Sequence, residues 1–263
     1  MPTPTRPPAS AAVVARLRAA GCVFAEEEAE LLAAAAASPA ELDAMVARRA
    51  SGLPLEHVVG WAEFAGLRIA VDAGVFVPRR RTEALVREAA ALAAPGAVVV
   101  DLCCGSGALG VAVAAALGRA ELHAADIDPA AVACARRNVS GAGGRVYEGD
   151  LYAALPAGLR GRTDVLLANV PYVPSDEVAL LPAEAREHEA RVALDGGADG
   201  LDVLRRVTAD AARWLAPGGS LLFETSERQV ASAVEAVTDA GLVPRVVTDE
   251  ELYATVVTGR RPA

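Results

Sequence analysis

The run Val98-Val99-Val100-Asp101-Leu102-Cys103-Cys104-Gly105-Ser106-Gly107-Ala108-Leu109-Gly110 limits the choice of fold more than any other part of the chain. A continuous apolar run fits a strand buried on both faces, as in a parallel sheet. Glycines that permit a tight turn follow at once, and then a helical apolar pattern over 107–117. The unit repeats. Apolar runs at 97–102, 122–125, 145–147 and 165–168 are interleaved, across the first three, with helical patterns at 107–117 and 129–139. Strands alternating with helices predict a parallel sheet with right-handed crossovers. A helix over 199–215 is expected to end at Pro217-Gly218-Gly219 and lead into a strand over 220–223. After a helix over 227–239, the runs at 243–247 and 254–258 are close enough to pair as a hairpin. The expectation is an α/β, Rossmann-like domain with a seven-stranded sheet that closes on an antiparallel hairpin.

Ahead of this domain the pattern changes. Apolar positions recur at helical spacing through Val13, Val14 and Leu17 and again through Leu31, Leu32 and Ala35. Ser38-Pro39 with Glu41 predicts a helix start, and Gly52 a stop. Residues 1–52 therefore read as a small helical domain, which could be a structural subdomain or a partner-recognition domain. Residues 53–81 read as a connector, in which the stretch 64–71 has a turn followed by alternation, as in a hairpin. Pro78-Arg79-Arg80-Arg81 reads as a solvated turn, with Thr82 as the N-cap of the next helix. Residues 82–263 are the main domain.

Composition excludes several functions. The net charge is −9, which argues against a large nucleic-acid footprint, since phosphate binding needs clustered positive charge. All 25 basic residues are arginine, so no Schiff-base or phosphate-loop lysine is possible. Cys22, Cys103, Cys104 and Cys134 have no zinc spacing, and His57, His123 and His188 are scattered. No metal is expected, and a reduced, cytoplasmic compartment fits best. The mean hydropathy of +0.31 owes much to alanine. No run reaches the roughly 20 apolar residues of a spanning helix, so no membrane association is expected. Pro2, Pro4, Pro7 and Pro8 suggest a frayed tail in place of a signal peptide.

The glycine loop spells GxGxxG over 105–110, beside a helix N-terminus. Asp126 closes the next strand, where a carboxylate can accept from both hydroxyls of a ribose. A structural turn, a dinucleotide site and an S-adenosylmethionine site all match that much. Asp101 favours the last, because an acid just before the glycines suits a sulfonium and amino-acid end and repels a pyrophosphate. The closing hairpin points the same way. Asp150, after the third strand, is placed either to reach an adenine or to cap a turn. The fourth strand runs into Asn169-Val170-Pro171-Tyr172. Ligands bind beyond the carboxyl ends of such strands, at the switch point. There the Asn169 carboxamide oxygen and a backbone carbonyl could each accept one N–H of a substrate NH2 group, with Tyr172 packed on a planar target. Val170 is biased to extended backbone by Pro171.

At this point the chain resembles the HemK/PrmC-type protein-(glutamine-N5) methyltransferases along most of its length. The resemblance is carried by Pro54-Leu55-Glu56-His57-Val58-Val59-Gly60, Phe64-Ala65-Gly66-Leu67, Val77-Pro78-Arg79 with Thr82-Glu83, and Asp101 with Gly105-Ser106-Gly107. Downstream it continues in the run 191–201 and in Glu224 with Gln229. It implies a class I S-adenosylmethionine-dependent methyltransferase. Cofactor contacts would come from Asp101, Cys103, Gly105, Ser106, Gly107, Asp126, Asp150, Leu151 and Asn169. Asn169, Val170, Pro171 and Tyr172 would hold the acceptor glutamine, and 1–52 would help recognise a protein substrate. That substrate would be a release factor or another translation protein, and a monomer is expected. Methylation of an exocyclic amine of a nucleic-acid base is the alternative. The chain departs from the family pattern at Val170 (usually Pro), Arg80-Arg81 (usually Pro-Glu), Thr225-Ser226, Cys103-Cys104 and Leu151. The Val170 form is similar to a PrmC-related actinobacterial branch.

Overall fold

The computed structural model describes residues 10–263; the proline-rich stretch read as a tail lies almost wholly outside them. Helices α1 (Ala11–Ala19), α2 (Ala25–Ala35) and α3 (Pro39–Ala50) open the described chain. The start of α3 is built as its sequence predicts. The Ser38 hydroxyl accepts from the Glu41 N–H at 3.2 Å, and the Glu41 carboxylate accepts from the Ala37 N–H at 2.7 Å. These helices enclose their own core of Leu17, Ala29, Leu32, Met45 and Val46. A short helix α4 (Leu55–Val59), which periodicity did not predict, leads into a hairpin of β1 (Trp61–Phe64) and β2 (Leu67–Ala70).

The main domain follows in the order α5 (Glu83–Leu92), β3 (Ala97–Leu102), α6 (Ala108–Leu117), β4 (Ala120–Asp126), α7 (Pro129–Gly141), β5 (Arg145–Glu148), β6 (Thr163–Ala168), α8 (Ala183–His188), α9 (Asp202–Trp214), β7 (Leu215–Thr225), α10 (Val230–Asp239), β8 (Val243–Asp249) and β9 (Ala254–Arg260). The seven-stranded sheet runs β5-β4-β3-β6-β7-β9-β8. Its first five strands are parallel, and β9 is antiparallel to both neighbours, giving the expected closing hairpin. From β3 the chain builds outward through β4 and β5, then returns to add β6 on the other side. The strand order therefore reverses between β3 and β6, and a crevice opens at their carboxyl ends.

Alternation along the strands divides the core. Val99, Val165, Leu167 and Leu222 join the α5–α6–α7 side, while Val98, Val100, Leu102, Leu166 and Ala168 join the α9–α10 side. Asp101 shares a face with Val99, and Val170 shares the face of Ala168.

Two local expectations are corrected. The Pro217-Gly218-Gly219 stretch is not a helix-to-strand break; it lies inside β7 as a bulge, with Thr163 paired to Leu215 and Val165 to Ser220. A side chain at 219 would stand 2.6 Å from the Thr163 carbonyl, which is why glycine is needed there. Thr82 makes no capping bond for α5; it ends a 3-10 turn over Arg80–Thr82, and its hydroxyl donates to Glu224 instead, at 2.8 Å.

Arg49 ties the helical segment to the main domain. Its guanidinium donates to Glu28 at 2.6 and 3.0 Å, to the Leu53 carbonyl at 2.9 Å and to Glu184 of α8 at 2.6 Å. Arg49 and Glu28 are both buried. Removing one partner of a buried pair strands the other charge, so Arg49→Ala should destabilise the protein by about 3 kcal/mol in urea unfolding, with Glu28→Gln/Arg49→Met losing less than Arg49→Ala alone.

Candidate active site

A cavity of about 510 Å³ occupies the crevice between the carboxyl ends of β3 and β6. Its floor is the glycine loop. Gly105 (φ +55°) turns the chain, and its N–H donates to Asp126 Oδ2 at 2.8 Å, while Asp126 Oδ1 accepts from the Asp128 N–H at 2.9 Å. Asp126 thus braces the loop and keeps a free lone pair on each oxygen. Burial pushes its carboxyl above the ordinary aspartate value.

The other glycines do a different job. A side chain on Gly107 would meet Val139 of α7 at 2.7 Å, and one on Gly110 would meet Leu122 at 2.9 Å and Asp101 Oδ2 at 3.0 Å. Both let α6 sit close to its neighbours. Of the residues expected at the cofactor, Asp101, Cys103, Gly105, Ser106, Asp126, Asp150, Leu151 and Asn169 line the cavity; Gly107 does not.

Asp101 is 1 % exposed at the end of β3. Its Oδ2 accepts from the Gly110 N–H at 2.9 Å, but its Oδ1 has no partner. A buried carboxylate oxygen left without a donor, in a wall of the cavity, suits a ligand that brings a donor or a positive charge. The amino-acid end and sulfonium of S-adenosylmethionine meet that need, so the residues present fit the cofactor. A pyrophosphate would meet two buried acids. At the far side, Asp150 forms a half-exposed ion pair with Arg206 at 2.6 Å and makes no side-chain cap to the turn that follows it.

The opposite wall includes the segment after β6. Leu167 pairs with Asp101 across the sheet, and Asn169 stands two residues further along on the same face. Asn169 and Val170 both line the cavity, and Val170, 2 % exposed, also packs in the α9–α10 core. The family departure at 170 thus has its side chain in the core. Tyr172 donates from its hydroxyl to Glu224 Oε1 at 3.0 Å and accepts from Arg81. Burial, and then the Glu224 carboxylate, push the Tyr172 phenol well above its usual value, so it stays protonated.

Periodicity and spacing missed several residues that build this site. Gln229 donates from its carboxamide to the backbone carbonyls of Tyr172 and Asp199, both at 2.9 Å. The loop 194–201 packs so closely that a side chain at Gly200 would stand 2.3 Å from the Tyr172 carbonyl. Arg79 grips the buried Glu189 with two contacts of 2.7 Å, and Glu189 accepts from the Val77 N–H, fixing the connector against the cavity roof. The arginine run, read as a solvated turn, is thus engaged at Arg79 and Arg81. No local pattern signals these pairings, because Glu189 and Glu224 lie more than a hundred residues further along the chain. Among the described residues, no cluster of His, Cys, Asp and Glu could hold a metal, all four cysteines are free, and no helix is long and apolar enough to cross a membrane.

Comparison with known proteins agrees with this geometry. The family model described as the methyltransferase small domain matches residues 66–197. A release factor glutamine methyltransferase from Mycolicibacterium smegmatis is 38% identical over 260 residues, covering 92% of this chain and 92% of its own length. One of the same name from Geobacter sulfurreducens is 42% identical over 192 residues, which span 71% of this chain and 66% of that protein, just under two thirds of it. Among solved structures, a methyltransferase from Pyrococcus furiosus matches with a TM-score of 0.57 over 75% of this chain and 90% of its own; at 16% identity this is a likeness of fold.

The stranded carboxyl of Asp101 gives a pH signature. Burial pushes it up to about 7 from the ordinary aspartate value of 3.8. The folded protein therefore binds a proton that the unfolded chain has already lost between those values, and stability falls as pH rises through that window. Compared with Asp101→Asn, the wild-type protein should lose about 2 kcal/mol of unfolding free energy between pH 5 and pH 8, read by urea titration at each pH.

Proposed function

Since the chain belongs to the HemK/PrmC-type glutamine methyltransferases, which carry the methyltransferase small domain, we propose that it methylates the side-chain amide nitrogen of a glutamine in a protein, with a release factor as the first candidate. The observation that carries this is the placement of Asp101 in β3 and of Asn169 just beyond the end of the neighbouring β6, at one cavity. The methyl donor is S-adenosylmethionine, held by Asp101 and Asp126 with the glycine loop, with Asp150 at the adenine end. When bound, it supplies an electrophilic methyl group.

The chain's own contribution is positioning. The Asn169 carboxamide oxygen accepts one N–H of the glutamine amide, and the backbone carbonyl of the clamp accepts the other. Two acceptors fix the nitrogen, raise its electron density and oppose its resonance with the amide carbonyl. Holding the nitrogen in line is worth several orders of magnitude in rate. The Tyr172 ring forms a wall for the planar amide. Its protonated phenol is no base, and a base strong enough to ionise an amide is not needed once the nitrogen is held; after the methyl is transferred, the nitrogen sheds one of its two N–H protons to solvent.

The Val170 side chain packs in the α9–α10 core and residue 170 keeps its backbone carbonyl, which supports retention of the amide chemistry. The end-to-end match with the Mycolicibacterium smegmatis relative supports a PrmC-related branch. The helical segment 10–52, latched to the roof of the cavity through Arg49 and Glu184, is proposed to contact the protein substrate. Free cysteines support a reducing, cytoplasmic compartment.

Incubation with isotopically labelled donor and a cell extract, followed by peptide mass analysis, should find a glutamine bearing one added methyl on its side-chain nitrogen. Label confined to DNA or RNA would overturn the proposal in favour of base methylation. Asn169→Ala should lower kcat/KM about 100-fold or more while S-adenosylhomocysteine still binds.

A further inference from the structure

Three segments far apart in sequence meet at the Tyr172 hydroxyl. Arg81 of the connector donates from Nε to Glu224 Oε1 at 2.6 Å and from its second arm to the Tyr172 oxygen. The phenol in turn donates to that same Glu224 Oε1 at 3.0 Å. The second oxygen of Glu224, on β7, accepts from the Thr82 hydroxyl at 2.8 Å. The carboxylate is 4 % exposed, whereas the Arg81 side chain is 47 % exposed at the cavity wall, with its guanidinium 5.8 Å from the centre of the Tyr172 ring. The three polar groups close a triangle, and the hydroxyl uses both its donor and an acceptor site in it.

We propose that Arg81, through its two-armed contact with Glu224 and Tyr172, is a positioning residue that locks the Tyr172 ring as a wall of the methyl-acceptor site. A fork is required. One arm neutralises the buried carboxylate and the other sets the direction of the phenol, whereas an ammonium is a point charge that cannot hold both in plane. A guanidinium that only balanced Glu224 would have no need to reach Tyr172. The chain has no lysine in any position, and here arginine has a geometric reason to be present. The proposed role in turnover rests on the methyl-transfer reading above; the locking of the ring does not.

The test uses the full chain. Arg81→Gln should lower kcat/KM for the methyl acceptor about tenfold while the affinity for S-adenosylhomocysteine changes less than about twofold. Arg81→Lys should keep the melting temperature near that of wild type yet recover little of the rate. In the Tyr172→Phe background, Arg81→Gln should produce no further loss, because the group it positions is gone. Nuclear magnetic resonance of protein labelled in the tyrosine rings reads the lock without any substrate, with Tyr172 assigned from Tyr172→Phe. Separate signals for the two ring edges in the wild type should merge in Arg81→Gln and in Arg81→Lys. Full activity in Arg81→Lys, an equal Arg81→Gln effect with and without the Tyr172 hydroxyl, or ring signals indifferent to Arg81 would each overturn the proposal. If the wild type transfers no methyl to glutamine, the functional reading fails, and the ring signals alone decide the role of Arg81.

Discussion

The chain must leave the sheet after β6 without leaving its peptide groups unpaired, and much of the active-site wall follows from that constraint. Asn169 to Ser175 run through a crevice, where each orphaned backbone group costs about 1–3 kcal/mol. The loop 194–201 supplies the partners. Gly196 donates to the Val173 carbonyl at 2.8 Å, Val173 to the Leu194 carbonyl at 3.2 Å, and Ser175 to the Gly197 carbonyl at 2.9 Å. Gln229 then bridges the Tyr172 and Asp199 carbonyls from a third direction. So close an approach is possible only where side chains are absent; one at Gly196 would stand 2.6 Å from the Pro171 carbonyl. The segment 169–175, the proposed acceptor clamp, is therefore held in place mainly by residues that follow it.

A second layer of order is electrostatic. Four carboxyl groups lie buried or nearly so around the crevice: Asp101, Asp126, Glu189 and Glu224. Glu189 and Glu224 are answered by arginine forks from the connector, and Asp126 by two backbone N–H groups. Asp101 alone keeps an oxygen without a donor. The uncompensated charge thus sits where a cationic ligand end would rest, and the compensated ones hold walls. The arginines that answer the acids also fasten the connector to the main domain, so the walls of the cavity and the join between its parts rest on the same ion pairs.

The sheet was legible because its strands are apolar on both faces and its turns carry glycine; the succession of elements along the chain and the closing hairpin follow from spacing. Asp101, Asp126 and Asn169 were legible because each stands at a strand end, where topology dictates which side of the molecule it reaches. Other features depend on contacts that no local pattern encodes. Periodicity could not show that Pro217-Gly218-Gly219 bulges within β7, because that conformation answers to the Thr163 carbonyl on a neighbouring strand. It could not separate Gly107 from Gly105, since both have positive φ and only one faces the cavity. Thr82 carries the ordinary mark of a helix cap, but a buried Glu224 competes for its hydroxyl and wins. Arg81 reads as a solvated turn until β7 brings that same carboxylate beside it.

The two departures nearest the clamp differ in kind for this reason. At 170 the side chain packs in the α9–α10 core and is 2 % exposed, so the cavity it lines meets little of it. A β-branched residue before proline keeps the backbone there extended. At 81 the side chain belongs to the site itself, since its guanidinium reaches the hydroxyl of the clamp's own tyrosine. Substituting the first alters packing behind the wall, while substituting the second alters the contacts that hold Tyr172 in it. Under the proposed function, divergence in substrate among chains of this architecture should be sought at the connector first, because Arg81 reaches the Tyr172 hydroxyl while Val170 is mostly taken up by the core.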